Sequence, residues 1–168
     1  MKTSKILSLL GKSLILFPYL NIVAVHRQKK HLGMIYDIEK ASKYLVFRDT
    51  GNKKPINEKP TILVFHFRLK WIKKNRFWHW LFQRVCIFTT PFWSGLKGFK
   101  TKLWMVEPKT KDYLGIYEWR GNDNAQGYVD SLKPILGIFA IKKSMWHRMY
   151  PNMELEKYLK PRLYKGEK

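Results

Sequence analysis

The sequence predicts an α+β domain over residues 61–151, in which four strands and two helices follow one another as β-α-β-β-α-β. Three observations predict this order: a short β-branched and aromatic run, two alternating runs joined by a four-residue turn, and two stretches with helical spacing of apolar residues. Right-handed crossovers would then give a four-stranded antiparallel sheet in the order 4-1-3-2, with both helices on one face. This arrangement is the ferredoxin-like fold.

The first strand follows a polar stretch that contains prolines. Residues 61–69 (TILVFHFRL) are too short for a helix and apolar on both faces, which predicts a strand covered on both sides. Asn75 can cap a helix that runs from Arg76 to about Phe88. Residues 89–98 contain one proline and two glycines and therefore predict a loop.

A hairpin occupies the centre of the domain, because residues 99–107 and 112–120 alternate and residues 108–111 form a turn. The turn length predicts a register with the pairs Met105–Leu114, Leu103–Ile116 and Thr101–Glu118. One face of the hairpin is then mainly aliphatic, and the other carries aromatic residues with lysines. We expect the helices to cover the aliphatic face and a second copy of the chain to cover the aromatic face.

The second helix and the last strand complete the domain. Asn122 can cap a helix whose apolar face includes Tyr128, and Pro134 is expected to kink or restart that helix. Residues 144–150 predict the last strand, which Pro151 closes.

Outside this domain the sequence divides into three parts. Residues 1–30 form an apolar and basic N-terminal helical segment, residues 31–60 an extension and linker, and residues 152–168 a basic C-terminal tail. The extension allows a short helix around Asp37 to Lys43, and its last ten residues, GNKKPINEKP, have the composition of a linker.

The N-terminal segment has three interpretations. Residues 6–25 are about as long as one bilayer span, but Lys12 and Pro18 interrupt the apolar run. A helix over residues 4–17 is instead amphipathic, which is typical of a helix on a membrane surface or of one packed on its own domain or on a partner subunit. On the membrane-surface interpretation, the residues that bind anionic headgroups are Lys5, Lys12, Arg27, Lys29 and Lys30.

Charge and cysteine content limit the function classes. The 33 basic and 12 acidic residues give a net charge of +21, which attracts nucleic acid, anionic lipid or acidic small molecules. Nucleic acid ranks last among these partners, because the sequence has no RNP-type string. The single cysteine, Cys86, excludes an internal disulfide and a cysteine-based metal site. It also favours a reducing cytoplasmic location, where the chain would be peripheral at the inner face of the membrane.

Residues 95–132 (GLKGFKTKLWMVEPKTKDYLGIYEWRGNDNAQGYVDSL) resemble the central hairpin and second helix of the YdhR-type monooxygenase-like proteins, within the antibiotic-biosynthesis-monooxygenase group. The similar features are a Lys-x-Trp strand, a short turn, Gly-Ile-Tyr in the next strand and a polar-capped helix with Ala and Tyr. The resemblance extends over about residues 61–151. It implies a dimeric α/β barrel with a pocket between the sheet and helices of each subunit, and oxygen chemistry without a cofactor, although some members of the group use haem.

Candidate chemistry lies on the strands and in the loop after the first helix. Glu118 is predicted on the helix-covered face with Arg68 as its partner, either as a base or in a structural ion pair. His66 and His147 lie on neighbouring strands, where they would approach each other as a base or haem ligand, or be hydrogen-bonded in the interior. His79 lies on the polar side of the first helix and is expected in solvent. A pocket for a flat apolar substrate would be lined by Phe92, Trp93, Trp104 and Tyr117. The alternative for Phe92 and Trp93 is that they pack their loop against the core.

Three functions fit these features. The leading one is a homodimer that binds an apolar or aromatic small molecule near a membrane and oxygenates it without a cofactor, after Glu118 or His66 removes a proton. The alternatives are a non-catalytic module that binds membrane surfaces through residues 1–30, and a nucleic-acid-binding domain. No metal site is predicted.

Overall fold

The computed structural model describes residues 26–38, 42–52, 57–70, 75–94 and 96–165. The strands in these ranges are β1 (His26–Gln28), β2 (Ile35–Ile38), β3 (Ser42–Gly51), β4 (Pro60–Phe67), β5 (Phe99–Val106), β6 (Tyr113–Arg120) and β7 (Trp146–Pro151). The helices are α1 (Arg76–Ser94), α2 (Asn122–Phe139) and α3 (Leu155–Leu159), with 3-10 turns at Lys142–Ser144 and Lys160–Arg162.

The four strands predicted for the domain lie side by side in the order β5-β6-β4-β7, all antiparallel. This order is the predicted 4-1-3-2, and the crossovers carry α1 and α2 to the same face of the sheet. The hairpin register is confirmed at the predicted pairs Met105–Leu114, Leu103–Ile116 and Thr101–Glu118. The chain's own strand order therefore defines a ferredoxin-like unit from β4 to β7.

The sheet is wider than the predicted four strands. Strand β3 pairs with β5, and β1 and β2 both pair with the other edge of β3, so the described part of the chain holds a seven-stranded sheet. The short helix predicted around Asp37 to Lys43 is wrong, because the described residues of that stretch belong to β2 and β3. Tyr44 and Val46 are buried at alternate positions, as is typical of a strand. The edge of β5 has backbone N–H and C=O groups that need partners, and β3 supplies them.

The two long helices, α1 and α2, cover the aromatic face of the sheet. The prediction that they cover the aliphatic face is therefore wrong. Cys86 of α1 and Val129 of α2 pack among the large side chains of the aromatic face, which are Phe65, Phe99, Trp104, Tyr117 and Trp119. Both faces are apolar, so either could be covered by helices. The larger aromatic side chains of this face fill the space between the sheet and two helices. The aromatic face is thus covered without a second copy of the chain, and homodimerisation stays a prediction.

The aliphatic face is covered by both ends of the described chain. Its core joins Leu103, Met105 and Ile116 of the hairpin to side chains of β2, β3 and α3, which are Tyr36, Ile38, Tyr44, Val46, Leu155, Tyr158 and Leu159. Leu163 also forms an antiparallel bridge with Tyr36. The segment predicted as a basic tail therefore closes the core, and the sheet curls around α3.

Both long helices pass through a proline. Helix α1 continues past Pro91 to Ser94, so the loop predicted from residue 89 is wrong at its start. Helix α2 is one element from Asn122 to Phe139 with Pro134 inside it. A proline removes one helical hydrogen bond, but both helices still pack on the sheet, α1 through Cys86 and α2 through Val129 and Leu132. In the part of the chain that the structure describes, none of the helices has the length and apolar character needed to cross a bilayer.

Candidate functional site

A cavity of about 130 Å³ lies between the sheet and the two long helices. Strands β5 and β6 form its floor, and α1 and α2 form its roof. Its walls are mostly apolar and include Phe67, Phe82, Cys86, Tyr113, Leu132 and Leu136. The cavity lies where the resemblance noted above implies a pocket, although the helices stand on the other face from the one predicted.

Lys102 is the one charged side chain in the described lining of the cavity. It lies in the middle of β5, opposite Thr50 of β3 and Tyr117 of β6, and is 5% exposed. Its Nζ is 3.0 Å from the centroid of the Trp104 ring and 4.6 Å from that of the Tyr117 ring. The amine is therefore held against two aromatic rings inside an apolar space.

The surroundings of Lys102 favour its neutral form. Burial lowers the pKa of Lys102 well below its usual range, and the Arg48 guanidinium acts in the same direction. A Cys86 thiolate would oppose both, but burial raises the pKa of that thiol to about 12, so it is protonated at neutral pH. Among the described residues, no carboxylate lies within ion-pair distance of the Lys102 Nζ. The amine can therefore act as a base or a nucleophile, or bind an anion once protonated.

Gly115 shapes the floor beside Lys102. It pairs with Trp104 across the hairpin, and a Cβ on it would lie 2.6 Å from Cε2 of the Tyr117 ring. Only a residue without a side chain lets that ring lie where it does. The Tyr128 hydroxyl donates a hydrogen bond of 3.0 Å to the Tyr117 hydroxyl, and burial raises the pKa of both groups. The floor is thus fixed and uncharged near neutral pH.

Tyr113 connects the cavity wall to α1. Its hydroxyl lies 2.8 Å from Nδ1 of His79, which is buried, so the prediction of a solvated His79 is wrong. Helix α1 turns His79 and Cys86 toward the sheet, and it leaves Phe77 and Trp78 exposed. The hydrogen bond to Tyr113 supplies the partner that a buried imidazole needs.

His66 and Arg68 lie in a separate cluster on the aliphatic face. His66 Nδ1 donates to the Ser144 carbonyl oxygen at 2.8 Å, and its ring stacks on Trp146 with 5.1 Å between centroids. His66 Nε2 is 3.6 Å from Oδ2 of Asp112. Arg68 donates two hydrogen bonds, of 2.5 Å and 2.8 Å, to the same carboxylate. These contacts form a structural network of paired charges.

The network holds its carboxylate ionised. Burial alone would raise the pKa of Asp112, but the hydrogen bonds and charge of Arg68, with the charge of His66, hold it below the usual range. The cluster borders an open depression of about 380 Å³ that also includes Tyr44 and Arg148. Asp112 accepts two hydrogen bonds from Arg68 and lies close to His66, so the described lining of this depression has no unpaired carboxylate to act as a base.

His147 is on the opposite side of the sheet from His66. It pairs with Phe65 across β4 and β7, whereas His66 pairs with Trp146. Neighbouring residues of a strand point to opposite faces, so the predicted approach of the two histidines is wrong. His147 stacks on Phe65 at 6.1 Å, and its pKa is lowered by burial and then by the charge of Lys133.

Glu118 lies on the aliphatic face, as predicted, but away from the helix-covered side. Its Oε1 is 3.0 Å from Nη2 of Arg120, and it accepts a hydrogen bond from the backbone of Leu155 at the start of α3. Burial raises its pKa, and Arg120 acts against that rise. The predicted pairing with Arg68 is wrong, because Arg68 binds Asp112. Glu118 therefore anchors α3 and does not line the cavity.

The predicted lining residues divide into two pairs. Trp104 and Tyr117 line the cavity. Phe92 and Trp93 lie within α1 instead of a loop, and their side chains are outside the described structure. Lys102 was not among the candidates. The signal that points to it is its place on the same face as Trp104 and Tyr117, in a strand that is apolar on both sides.

Three of the five candidate headgroup-binding residues lie within the described structure. Lys5 and Lys12 lie outside the described residues, and Arg27 belongs to β1, so the N-terminal helical segment predicted for residues 1–30 is wrong at its end. Lys29 and Lys30 are exposed, and Lys30 Nζ is 2.7 Å from Oε1 of Glu156.

The described residues do not fit a metal ion or a haem. Among them, no three His, Cys, Asp or Glu side chains lie close enough together to hold a metal ion. The cavity, at about 130 Å³, is well below the roughly 300–1,000 Å³ of pockets for drug-sized ligands, so it does not accommodate a haem. His66, the candidate haem ligand, is held between Ser144 and Asp112.

No family model matches the chain, and no curated protein matches it. Among solved structures it is similar to the crystal structure of an uncharacterized ferredoxin fold protein related to antibiotic biosynthesis monooxygenases, from Listeria monocytogenes 4b F2365. The two are 11% identical, with a TM-score of 0.47 over 79% of this chain and 94% of that one. The ferredoxin-like assignment therefore rests on the strand order and register described above.

Proposed function

We propose that the chain binds a small, flat, weakly acidic aromatic molecule in the cavity under α1 and α2. The observation that carries this proposal is an apolar cavity of about 130 Å³ whose described lining contains one lysine, Lys102, and no carboxylate. The apolar walls would bind the ring by removing it from water, and the amine would select its acidic group.

The volume of the cavity limits the ligand to about one ring. An apolar cavity of about 150 Å³ is large enough to bind benzene, and this cavity measures about 130 Å³. Phe82 and Tyr113, with ring centroids 4.7 Å apart, line it together with Phe67. Their faces and edges offer the offset contacts that aromatic ligands prefer.

The amine of Lys102 is the reason to expect an acidic ligand. A neutral buried amine can take a proton from a phenol, which creates an ion pair shielded from water. The ligand anion would then raise the pKa of Lys102 toward its usual range, because an opposite charge favours the protonated amine. Binding and proton transfer are therefore coupled within the cavity.

The same proton transfer supports a finer proposal, an oxygenase reaction without a cofactor. A substrate with an acidic CH₂ group would lose a proton to Lys102, and the resulting carbanion would react with O₂. The overall change, R₂CH₂ + O₂ → R₂C=O + H₂O, needs no other oxidant or reductant. Glu118 and His66 do not line the cavity, so we assign the role of base to Lys102.

Calorimetric titration of the full chain with phenol and with toluene tests the binding proposal. We expect phenol to bind about tenfold more tightly, since a hydrogen bond to a charged group contributes roughly 1.5 kcal/mol. Lys102→Met should remove this preference and keep toluene binding. Lys100→Met, on the same strand but outside the described cavity lining, is the control and should keep the preference. Equal affinities in the wild type, or binding of neither compound, would contradict the proposal.

An oxygen electrode with cyclohexane-1,3-dione, a single ring with an acidic CH₂ group, tests the finer proposal. We expect oxygen uptake equal to substrate consumed, abolished by Lys102→Met and retained by Lys100→Met. If the dione binds and no oxygen is consumed, the oxygenase reaction is excluded for this substrate class, and the binding proposal stands.

A further inference from the structure

The outer side of α1 and the end of α2 expose large apolar side chains. Phe77, Trp78, Trp80, Val85, Ile138 and Phe139 are between 47% and 60% exposed, and we call this surface the outer face. Met34, Ile141 and Leu163 are the other large apolar side chains exposed in the described structure, and all three are less exposed. A concentration of this kind marks a binding surface.

The aromatic part of the outer face is continuous. Phe77 lies 5.6 Å from Trp78 and 6.1 Å from Trp80, measured between ring centroids. The Arg84 guanidinium lies 5.2 Å from the centroid of the Trp80 ring. Tryptophan beside a cation is typical of a surface that meets the membrane–water interface, where one side of the ring is apolar and the other is wet.

Basic residues border the other end of the outer face. Lys70 Nζ donates hydrogen bonds to the carbonyl oxygens of Gly137, at 2.8 Å, and Ile138, at 3.2 Å. Lys142 and Lys143 are exposed in the 3-10 turn that follows α2.

The sequence around the outer face carries no negative charge. No Asp or Glu occurs between Glu58 and Glu107, or between Asp130 and Glu154. These two stretches include all of α1, the end of α2 and the 3-10 turn after it. The outer face is therefore an apolar surface with a basic border.

We propose that the outer face binds the surface of an anionic phospholipid bilayer. The aromatic side chains would enter the headgroup region, and the basic border would lie against lipid phosphates. Two other partners could cover the outer face, a second copy of the chain or the N-terminal residues 1–25. A second copy would bring the same net charge of +21, and residues 1–25 contain three lysines and no acidic residue. Neither of these alternatives complements the basic border, whereas an anionic bilayer does.

The outer face also borders the cavity. Val85 of α1 and Phe139 of α2 both line the cavity, and each is about half exposed. On a bilayer this side of the cavity would face lipid, and an apolar ligand that entered between Val85 and Phe139 would reach Lys102 without crossing water. This consequence rests on the proposed function, whereas bilayer binding itself does not.

Flotation of the full chain with vesicles of phosphatidylcholine, with and without phosphatidylglycerol, tests the proposal. We expect binding that requires phosphatidylglycerol. Phe77→Ser/Trp80→Ser should weaken it about tenfold or more, because two exposed rings no longer enter the lipid. Lys142→Gln/Lys143→Gln should weaken it about fivefold for each charge. Met34→Ser/Leu163→Ser, which changes exposed apolar side chains elsewhere, should bind like the wild type.

Circular dichroism confirms that each variant is folded before it is compared. Unchanged vesicle binding in both outer-face variants overturns the proposal, as does a dimer of the wild type that these variants dissociate. Phenol titration of the same variants separates the two proposals. If an outer-face variant no longer floats with vesicles but binds phenol normally, bilayer binding by the outer face is supported independently of the cavity. If the wild type floats but binds no phenol, only the proposal for the cavity is contradicted.

Discussion

The two faces of the sheet each hold a basic side chain, in opposite surroundings. On the aliphatic face, Arg68 is half exposed and binds both oxygens of Asp112. On the aromatic face, Lys102 is buried against aromatic rings, and no described carboxylate lies within ion-pair distance. The Arg68 cluster is complete without a ligand, whereas Lys102 leaves an interaction for a ligand to complete. A buried ionisable group without a counter-ion is therefore a better guide to a binding site than a group of mutually paired charges.

Removing Asp112 should cause the largest loss of stability. Asp112→Ala leaves the Arg68 guanidinium without its partner and removes the carboxylate beside His66, so we expect the free energy of unfolding to fall by about 2–4 kcal/mol. Urea denaturation at neutral pH measures this loss. Asp112→Asn should lose less, because the amide oxygen still accepts a hydrogen bond. A loss below about 1 kcal/mol in Asp112→Ala would contradict the structural role of this cluster.

Replacing Lys102 by an apolar residue should instead increase stability. The folded chain buries this amine in its neutral form, which costs free energy at neutral pH that a methionine does not carry, so we expect Lys102→Met to be more stable at neutral pH. The pKa of Lys102 is lower in the folded chain than in the unfolded chain, so the unfolded state binds the additional proton.

The stability of the wild type should consequently rise with pH above the lowered pKa of the folded chain, until the unfolded lysine also loses its proton near pH 10.4. The advantage of Lys102→Met should therefore shrink as the pH rises from 7 to 10. Unfolding of the two proteins in parallel measures this difference and cancels the contributions of the buried tyrosines. A constant difference across that range would mean that Lys102 keeps an ordinary pKa.

Gly115→Ala should reduce both stability and ligand binding. The new methyl group would meet the Tyr117 ring, which must move, at a typical cost of about 1–3 kcal/mol for an overpacked core. Gly127→Ala is the matched control, because a Cβ there contacts nothing within 4 Å and alanine favours the helix. Unfolding and phenol titration of the two variants check this. If Gly115→Ala binds phenol like the wild type, the Tyr117 ring does not form the floor of the site.

Glu118→Gln should have the smallest effect. The amide oxygen can still accept the hydrogen bond from Leu155, so we expect a change in stability within about 1 kcal/mol and unchanged phenol affinity. Calorimetry and urea denaturation of this variant test both expectations. Loss of phenol binding would return Glu118 to the binding site, where the sequence had placed it.

The strand order and the hairpin register could be predicted because their causes are local. A four-residue turn between two alternating runs sets the pairing, so Met105 had to face Leu114. The covered side could not be predicted in the same way, because both faces of the hairpin are apolar. That choice depends on β2, β3 and α3, which reach the aliphatic face from distant parts of the sequence.

The residues of the binding site could be predicted only in part from the sequence, for a related reason. Trp104 and Tyr117 could be named because alternation places them on one aromatic face. Lys102 shares that face, but a lysine in a strand usually reaches solvent, and only the coverage by α1 and α2 prevents it here. The partner of Arg68 depends on which side chains reach across the sheet, and that geometry favours Asp112 over Glu118.

Helix α3 links segments that lie far apart along the chain, and this has a consequence for how the molecule assembles. Lys30 meets Glu156 across 126 positions, and the backbone of Tyr164 bonds to Ile35. Closing such a long loop costs chain entropy, which makes the step slow. Strands β4 to β7 should therefore come together first, and α3 should dock afterwards. In stopped-flow experiments, Leu159→Ala should then accelerate unfolding and leave the refolding rate nearly unchanged. A comparable slowing of refolding would place α3 in the folding nucleus.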